Sequence, residues 1–235
     1  MPSIAIVAAL EREVRPLVKK WKVHDREHDG RRFRFFQNDE TVLVCGGIGS
    51  SAARRAAEAL IALFEPKVVY SVGFAGALDP ALKVSDVLRP SRVINASDAS
   101  STDISEGTGV LVSFASVASP EQKAKLRDSF GAQAVDMEAA SVARAAEARG
   151  VLFGVVKVIS DEIDFEFPAM ERFVDSEGRF SEVRFGLFAA VRPWLWPQVI
   201  RLAINSNRAA HALSDYLSEL TTASGLVRTE SESKQ

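Results

Sequence analysis

Ile4-Ala5-Ile6-Val7-Ala8-Ala9, running on through Leu10-Glu11-Arg12-Glu13-Val14 to Leu17, Val18 and Trp21, is the stretch that decides the fold. The run from Ile4 is apolar without a break and of strand length, as expected of a strand covered on both faces. From Leu10 onward the apolar residues return at helical spacing. A buried strand that feeds a helix directly opens a βα unit.

The same alternation continues outward. Asp29-Gly30 marks a turn between strand-like pieces in residues 24–40, where Phe33 and Phe35 alternate with arginine, so a hairpin is expected. Thr41 to Cys45 reads as a second buried strand, followed by the tight loop Gly46-Gly47-Ile48-Gly49. Ser50 or Ser51 is placed to cap an alanine-rich helix that reaches about Phe64 and is stopped by Pro66. Val68 to Val72 is a strand ending at Gly73-Phe74-Ala75-Gly76, and Val84 to Val93 another, bent or kept at an edge by Pro90.

Residues 95–110 are polar and aperiodic and read as a mobile loop. Val110 to Val117 resumes as a strand, Pro120 to Phe130 is a short helix, and Val135 leads into a helix over Met137 to Arg149. Val151 to Ile159 is then a central strand. The expected architecture is α/β, one domain over residues 1–220, with a mostly parallel, twisted sheet flanked by helices on both faces. Residues 221–235 turn polar and read as a disordered tail.

Composition narrows the function. The chain has 235 residues, 47% hydrophobic and 26% charged, which suits one globular core. Its 29 Lys plus Arg against 31 Asp plus Glu supply no broad positive field, so nucleic acid is not an expected partner. Cys45, the single cysteine, sits in an apolar run and reads as an inert thiol, and His24, His28 and His211 suit no common zinc pattern; no metal is expected. The start lacks the basic segment and cleavage site of a signal peptide, and Phe185 to Ile204, though apolar, is interrupted by Arg192, Pro193, Pro197 and Arg201. A cytoplasmic protein without a spanning segment is expected.

Ligands of open α/β sheets bind beyond the carboxyl ends of the strands. Three clusters lie there: Glu11 and Glu13, Gly46 to Ser51, and Ser160-Asp161, with Asp136 and Glu138 nearby in sequence. Each acid alone has an ordinary explanation as a first-turn or capping residue. Several carboxylates at one sheet edge repel one another unless a ligand or a proton uses them. Gly47-Ile48-Gly49-Ser50-Ser51-Ala52 fits the dinucleotide glycine pattern, yet the next strand closes with Gly73-Phe74-Ala75-Gly76 and not with the acid that would hold a ribose, and no P-loop lysine follows.

Taken in order, Ile4 to Val14, Gly46-Gly47-Ile48-Gly49, Val72-Gly73-Phe74-Ala75-Gly76, Val135-Asp136-Met137-Glu138-Ala139-Ala140 and Val158-Ile159-Ser160-Asp161 resemble the nucleoside phosphorylase and nucleosidase superfamily. The paired N-terminal glutamates are similar to those of methylthioadenosine and adenosylhomocysteine nucleosidases. The resemblance implies cleavage of the N-ribosidic bond of a purine nucleoside, as in nucleoside catabolism and methionine salvage. It makes Asp161 the general acid at the base's N7, with Ser160 beside it. Glu13 becomes the base or guide for the attacking water, Glu138 the grip on the ribose hydroxyls, and Met137 the floor under the sugar. Leu10, Gly47, Gly49, Phe74, Ala75, Gly76, Val117, Ala118 and Asp136 then line the substrate site, and Glu11 is left on the surface. Lys157, buried in its strand, is expected to pair with Asp136.

Departures from that pattern bear on the substrate. Phe74 stands where phosphate-using relatives often carry a serine, which favours water over phosphate as nucleophile. The segment between Val93 and Val110 is short, Val117 replaces a stacking aromatic, and Phe165, Phe167 and Phe173 are candidates to restore contacts. Phe173-Val174-Asp175 through Pro193-Trp194-Leu195-Trp196-Pro197 resembles phosphorylase-family proteins of hopanoid biosynthesis, which implies an alternative: phosphorolysis of a lipid-linked adenosine or another purine nucleoside. In that case phosphate is a co-substrate; otherwise no cofactor is expected. A third reading is a nucleoside-binding module without turnover. The family also implies a homodimer, with the helix at Ala52 to Phe64 as a possible surface.

Overall fold

The computed structural model describes residues 2–39, 41–166, 170–175 and 177–232. β1 (Ile4–Ala8) lies at the centre of one 11-stranded sheet, paired in parallel with β4 (Thr41–Cys45) on one side and with β5 (Val68–Ala77) on the other. Beyond β4 come β3 (Arg31–Asn38) and β2 (Lys22–His28), an antiparallel hairpin turning at Asp29-Gly30 as its sequence requires.

β5 is where the sheet branches. It pairs in parallel with β11 (Leu152–Asp161) along its whole length, and at its end Gly76 and Ala77 pair antiparallel with β10 (Ala134–Asp136). From β10 the sheet continues through β9 (Val110–Ser113) and β7 (Arg92–Asn95) to β8 (Ser101–Asp103), while β6 (Val87–Leu88) pairs antiparallel with β11. The sheet is therefore mixed rather than mostly parallel. The stretch that reads as one strand, Val84 to Val93, divides at Pro90 into β6 and β7, which have different partners. Residues 95–110 are not merely a loop, since Thr102 pairs with Val93 and extends the sheet edge. β9 stops at Ser113, short of Val117.

Helices cover both faces. α2 (Ser50–Phe64) and α4 (Ala139–Glu147) pack alanines and Leu60 against Ala5, Val7, Val44 and Val69. Opposite them, α1 (Glu11–Val18) and α6 (Trp196–Glu232) enclose Ile6, Leu43, Val156 and Val158 between Val14 and Leu213. Asn205, Ala209, Leu213 and Leu217, four residues apart, form the buried stripe of α6. The helix backbone runs to Glu232, across the point near 220 where the sequence turns polar. α3 (Pro120–Phe130) opens with a reciprocal Ser119–Gln122 capping box and Pro120 in its first turn. α5 (Glu182–Ala190) follows a 3-10 turn at Met170–Phe173.

Two helix starts differ from the sequence reading for one reason. α4 begins at Ala139, after Glu138, and α2 is capped by Gly49, with no side-chain cap from Ser50 or Ser51. The Gly49 N–H instead donates to Glu138 Oε1 at 2.7 Å, while the Ser50 and Ser141 hydroxyls bond to each other at 2.6 Å. The carboxylate that precedes α4 thus sits at the positive end of α2, which draws both helix starts to one point.

Candidate active site

The carboxyl ends of β1, β4, β5, β10 and β11 meet around a cavity of about 440 Å³. That volume lies within the range of small-molecule sites. Glu13, Glu138, Asp136 and Asp161 all reach it, each nearly buried. So do Leu10, Gly49, Phe74, Ala75, Gly76, Val117, Ala118, Met137 and Ser160. Gly47 does not. A side chain there would lie 2.9 Å from the Glu177 carbonyl, and the adjacent Ile48 N–H donates to Gly178 at 2.7 Å, so this loop anchors the 177–178 segment. Glu11 is exposed.

Asp136 organises one end. Its Oδ1 accepts from Ser113 at 2.5 Å, and its Oδ2 receives both the Ala139 N–H at 2.8 Å and Lys157 Nζ at 2.9 Å. Lys157 is 1% exposed, as a buried lysine in a central strand must be if a carboxylate holds it. Because its oxygens are engaged by protein groups, Asp136 serves as scaffold: it fixes Lys157 and the opening of α4 rather than presenting a free acceptor to a ligand.

Glu13 and Glu138 lie in the field of that pair. Burial raises the Glu13 carboxyl above its ordinary range, with Lys157, Arg12 and the backbone N–H groups of Leu10 and Ala9 opposing the shift. Burial, aided by the Asp136 charge and opposed by Lys157, pushes Glu138 up to about 7. Burial would lower the Lys157 ammonium, but Asp136 and Glu138 outweigh it and hold the group above its usual value. Two acids that burial makes reluctant to ionise are stabilised as carboxylates when positive charge develops beside them.

Asp161 terminates β11 at a bulge. Ile159 pairs with Ala75 and Asp161 with Gly76, so Ser160 is the extra residue, and the bulge re-aims the strand end towards the cavity. Ser160 Oγ donates to Asp161 Oδ1 at 2.7 Å. Lys123 Nζ donates to Asp161 Oδ2 at 2.5 Å and to the Glu162 carbonyl at 2.7 Å, with the lysine 1% exposed. Glycines on β5 make room for both ends of the site. A Cβ on Gly73, at φ +137°, would lie 2.8 Å from Glu13 Oε2, and one on Gly76 would lie 2.8 Å from Asp161 Oδ2.

Lys123 and Arg12 are the charged lining residues that sequence reasoning missed. Lys123 follows a polar helix start, and its only advance signal is that it shares a helix face with the buried Leu126. Arg12 reaches the cavity wall with its guanidinium 5.2 Å from the Phe180 ring, and its buried Nε has no hydrogen-bond partner among the described residues. Of the aromatic candidates, Phe165 packs with Leu202, Phe180 and Phe185, Phe173 lies against the Phe185 and Phe188 rings, and neither lines the cavity, while Phe167 lies outside the described residues. Val174, Phe180, Leu202 and Ser206 supply the wall on that side. Cys45 is half-buried, and burial, together with Glu13 and Glu11, raises its thiol, which suits an inert side chain.

The profile of the phosphorylase superfamily matches residues 3–121 and 99–191 of the chain. A 5'-methylthioadenosine/S-adenosylhomocysteine nucleosidase of Staphylococcus epidermidis is 30% identical over 73% of this chain and 92% of its own length. An aminodeoxyfutalosine nucleosidase of Campylobacter jejuni is 25% identical over 77% and 95%. Among solved structures, futalosine hydrolase of Helicobacter pylori superimposes with a TM-score of 0.72 at 20% identity, covering 94% of this chain and 98% of that one.

Proposed function

The chain belongs to the phosphorylase superfamily, and from that premise we propose that it is a purine nucleosidase that hydrolyses the N-ribosidic bond of a 5'-substituted adenine nucleoside. The observation that carries this reading is the convergence of Glu13, Glu138 and Asp161 on one cavity, with the buried Lys123 ammonium paired to Asp161. The nucleosidases it resembles act on methylthioadenosine, adenosylhomocysteine or aminodeoxyfutalosine by name, which supports an adenosine-type substrate.

Each group then has a task. Asp161 delivers a proton to N7 of the departing base while Lys123, bonded to the same carboxyl, orients it; the proton that Glu13 takes from water then passes through solvent and restores Asp161. Glu138 accepts the ribose hydroxyls. As the bond breaks, the sugar acquires oxocarbenium character, which Glu13 and Glu138 stabilise as carboxylates while Glu13 takes the proton of the attacking water. Met137, Leu10 and the Val117-Ala118 backbone enclose sugar and base. Phe74 presents a ring to the cavity where an attacking phosphate would require donors, which supports water as the nucleophile.

The test is release of adenine from methylthioadenosine or adenosylhomocysteine with and without phosphate. Equal release in both supports hydrolysis; ribose 1-phosphate formed only with phosphate overturns it. Binding of these nucleosides without any turnover would assign the chain to a nucleoside-binding module instead.

A further inference from the structure

Seven of the ten exposed large apolar side chains among the described residues fall between Val183 and Ile204. α5 is apolar on two sides. Phe185, Phe188 and Ala189 turn inward, with Phe185 and Phe188 stacking on Phe173, whereas Val183, Leu187 and Val191, four residues apart, are 75%, 67% and 70% exposed. After the turn at Pro193–Leu195, the stripe resumes on α6 as Trp196, Ile200 and Ile204, at the same spacing, with Trp194 71% exposed between them. A helix with apolar residues on its outer as well as its inner face requires cover.

The charge around this surface says what covers it. From Val183 to Ser214 there are four arginines and no aspartate or glutamate, in a chain whose net charge is -2. Arg184 lies beside Val183, and Arg208 extends the stripe of Trp196, Ile200 and Ile204 by four residues; both are exposed and neither has an ion pair among the described residues. Arg201 is the partial exception, 3.8 Å from Glu162. Exposed Val, Leu and Ile flanked by Trp and Arg, with no acid, is the composition of an interfacial segment that lies on an anionic bilayer. No helix of the described residues is long and apolar enough to cross a membrane, so the surface would rest on it.

We infer that the outer face of α5 and the first turns of α6 dock on an anionic lipid surface. Phe180, just before α5, and Leu202 and Ser206 on α6 belong to the cavity wall, so docking holds the mouth of the site against the lipid.

The experiment is co-sedimentation of the full chain with vesicles of phosphatidylcholine, with and without phosphatidylglycerol, combined with tryptophan emission, since two of the three tryptophans lie on this face. Binding and a blue shift with the anionic vesicles, weakened by salt, are the expected result. The double variant Leu187→Ser/Trp194→Ser, neither position lining the cavity, should lose at least about tenfold in partitioning and keep its rate on a soluble nucleoside. If that variant fails to fold, Arg184→Gln/Arg208→Gln decides, with the expectation of weaker binding to anionic vesicles alone. Absence of binding to either vesicle overturns the inference, as does a stable dimer in solution that the serine variant converts to monomer, which would make the face a subunit interface.

Discussion

Lys123 Nζ lies 2.5 Å from Asp161 Oδ2, both side chains almost wholly enclosed, joining a helix and a strand end 38 residues apart in sequence. An ammonium so placed fixes which way the carboxyl points and leaves Oδ1 to Ser160. Removing one partner of such a pair strands the other in a region of low polarity.

Lys123→Met should therefore lower stability by about 3 to 5 kcal/mol, read by urea unfolding. It should also reduce kcat. In combination with Asp161→Asn the losses should fall well short of additive, because both substitutions break one interaction. Full additivity would mean that the two residues act independently.

Asp161→Asn keeps the shape of the side chain and removes the transferable proton. Turnover of methylthioadenosine should drop by roughly 10²- to 10⁴-fold, while nucleoside affinity, measured by calorimetry, changes little. A variant that retains turnover would shift the acid's role to another group.

The raised acid at Glu138 makes both activity and stability depend on pH. Gripping ribose hydroxyls and stabilising positive charge require the carboxylate, so kcat/KM should climb as pH rises through about 7. For stability the sign is opposite. The folded state holds the Glu138 proton more tightly than the unfolded chain, whose ordinary value is 4.5, so this contribution is complete below that pH and is lost as pH rises through about 7. Thermal unfolding of Glu138→Gln should be flatter across that window. An unchanged slope would show that Glu138 does not titrate there.

Gly76→Ala places a methyl group 2.8 Å from Asp161 Oδ2 and 3.3 Å from Lys123 Cε. The acid must move, and a displacement of this order is expected to cost roughly 10²-fold in kcat. The fold should survive, with near-native circular dichroism. Wild-type turnover in this variant would show that the position of Asp161 is not critical.

How far the sequence predicts the site depends on how locally each residue is determined. Lys157 in an unbroken apolar strand demands a buried counter-charge, and Asp136 is the partner found. Lys123 carries no such mark, since its helix also bears Lys125 and Arg127 and looks solvated; only the packing of α3 against β9 and β10 turns it towards Asp161 at the end of β11. The parallel core from β1 to β5 follows from continuous apolar runs. The antiparallel joints at β10 and β8 rest on strands of three residues, too short for any periodicity to show. Gly47 matched a ligand-loop pattern, but its neighbours are the backbone of residues 177 and 178, a contact distant in sequence.

β5 also acts as a gauge. Gly73 lies under the Glu13 carboxyl and Gly76 under that of Asp161, both on one extended segment. Three residues of strand span roughly 10 Å, so the interval between the group that would prepare the water and the group that would release the base is set by backbone geometry, which no rotamer can lengthen or shorten. An insertion or deletion between these two glycines would change that interval by a whole residue and leave each carboxylate, however well supported, addressing the wrong part of the substrate.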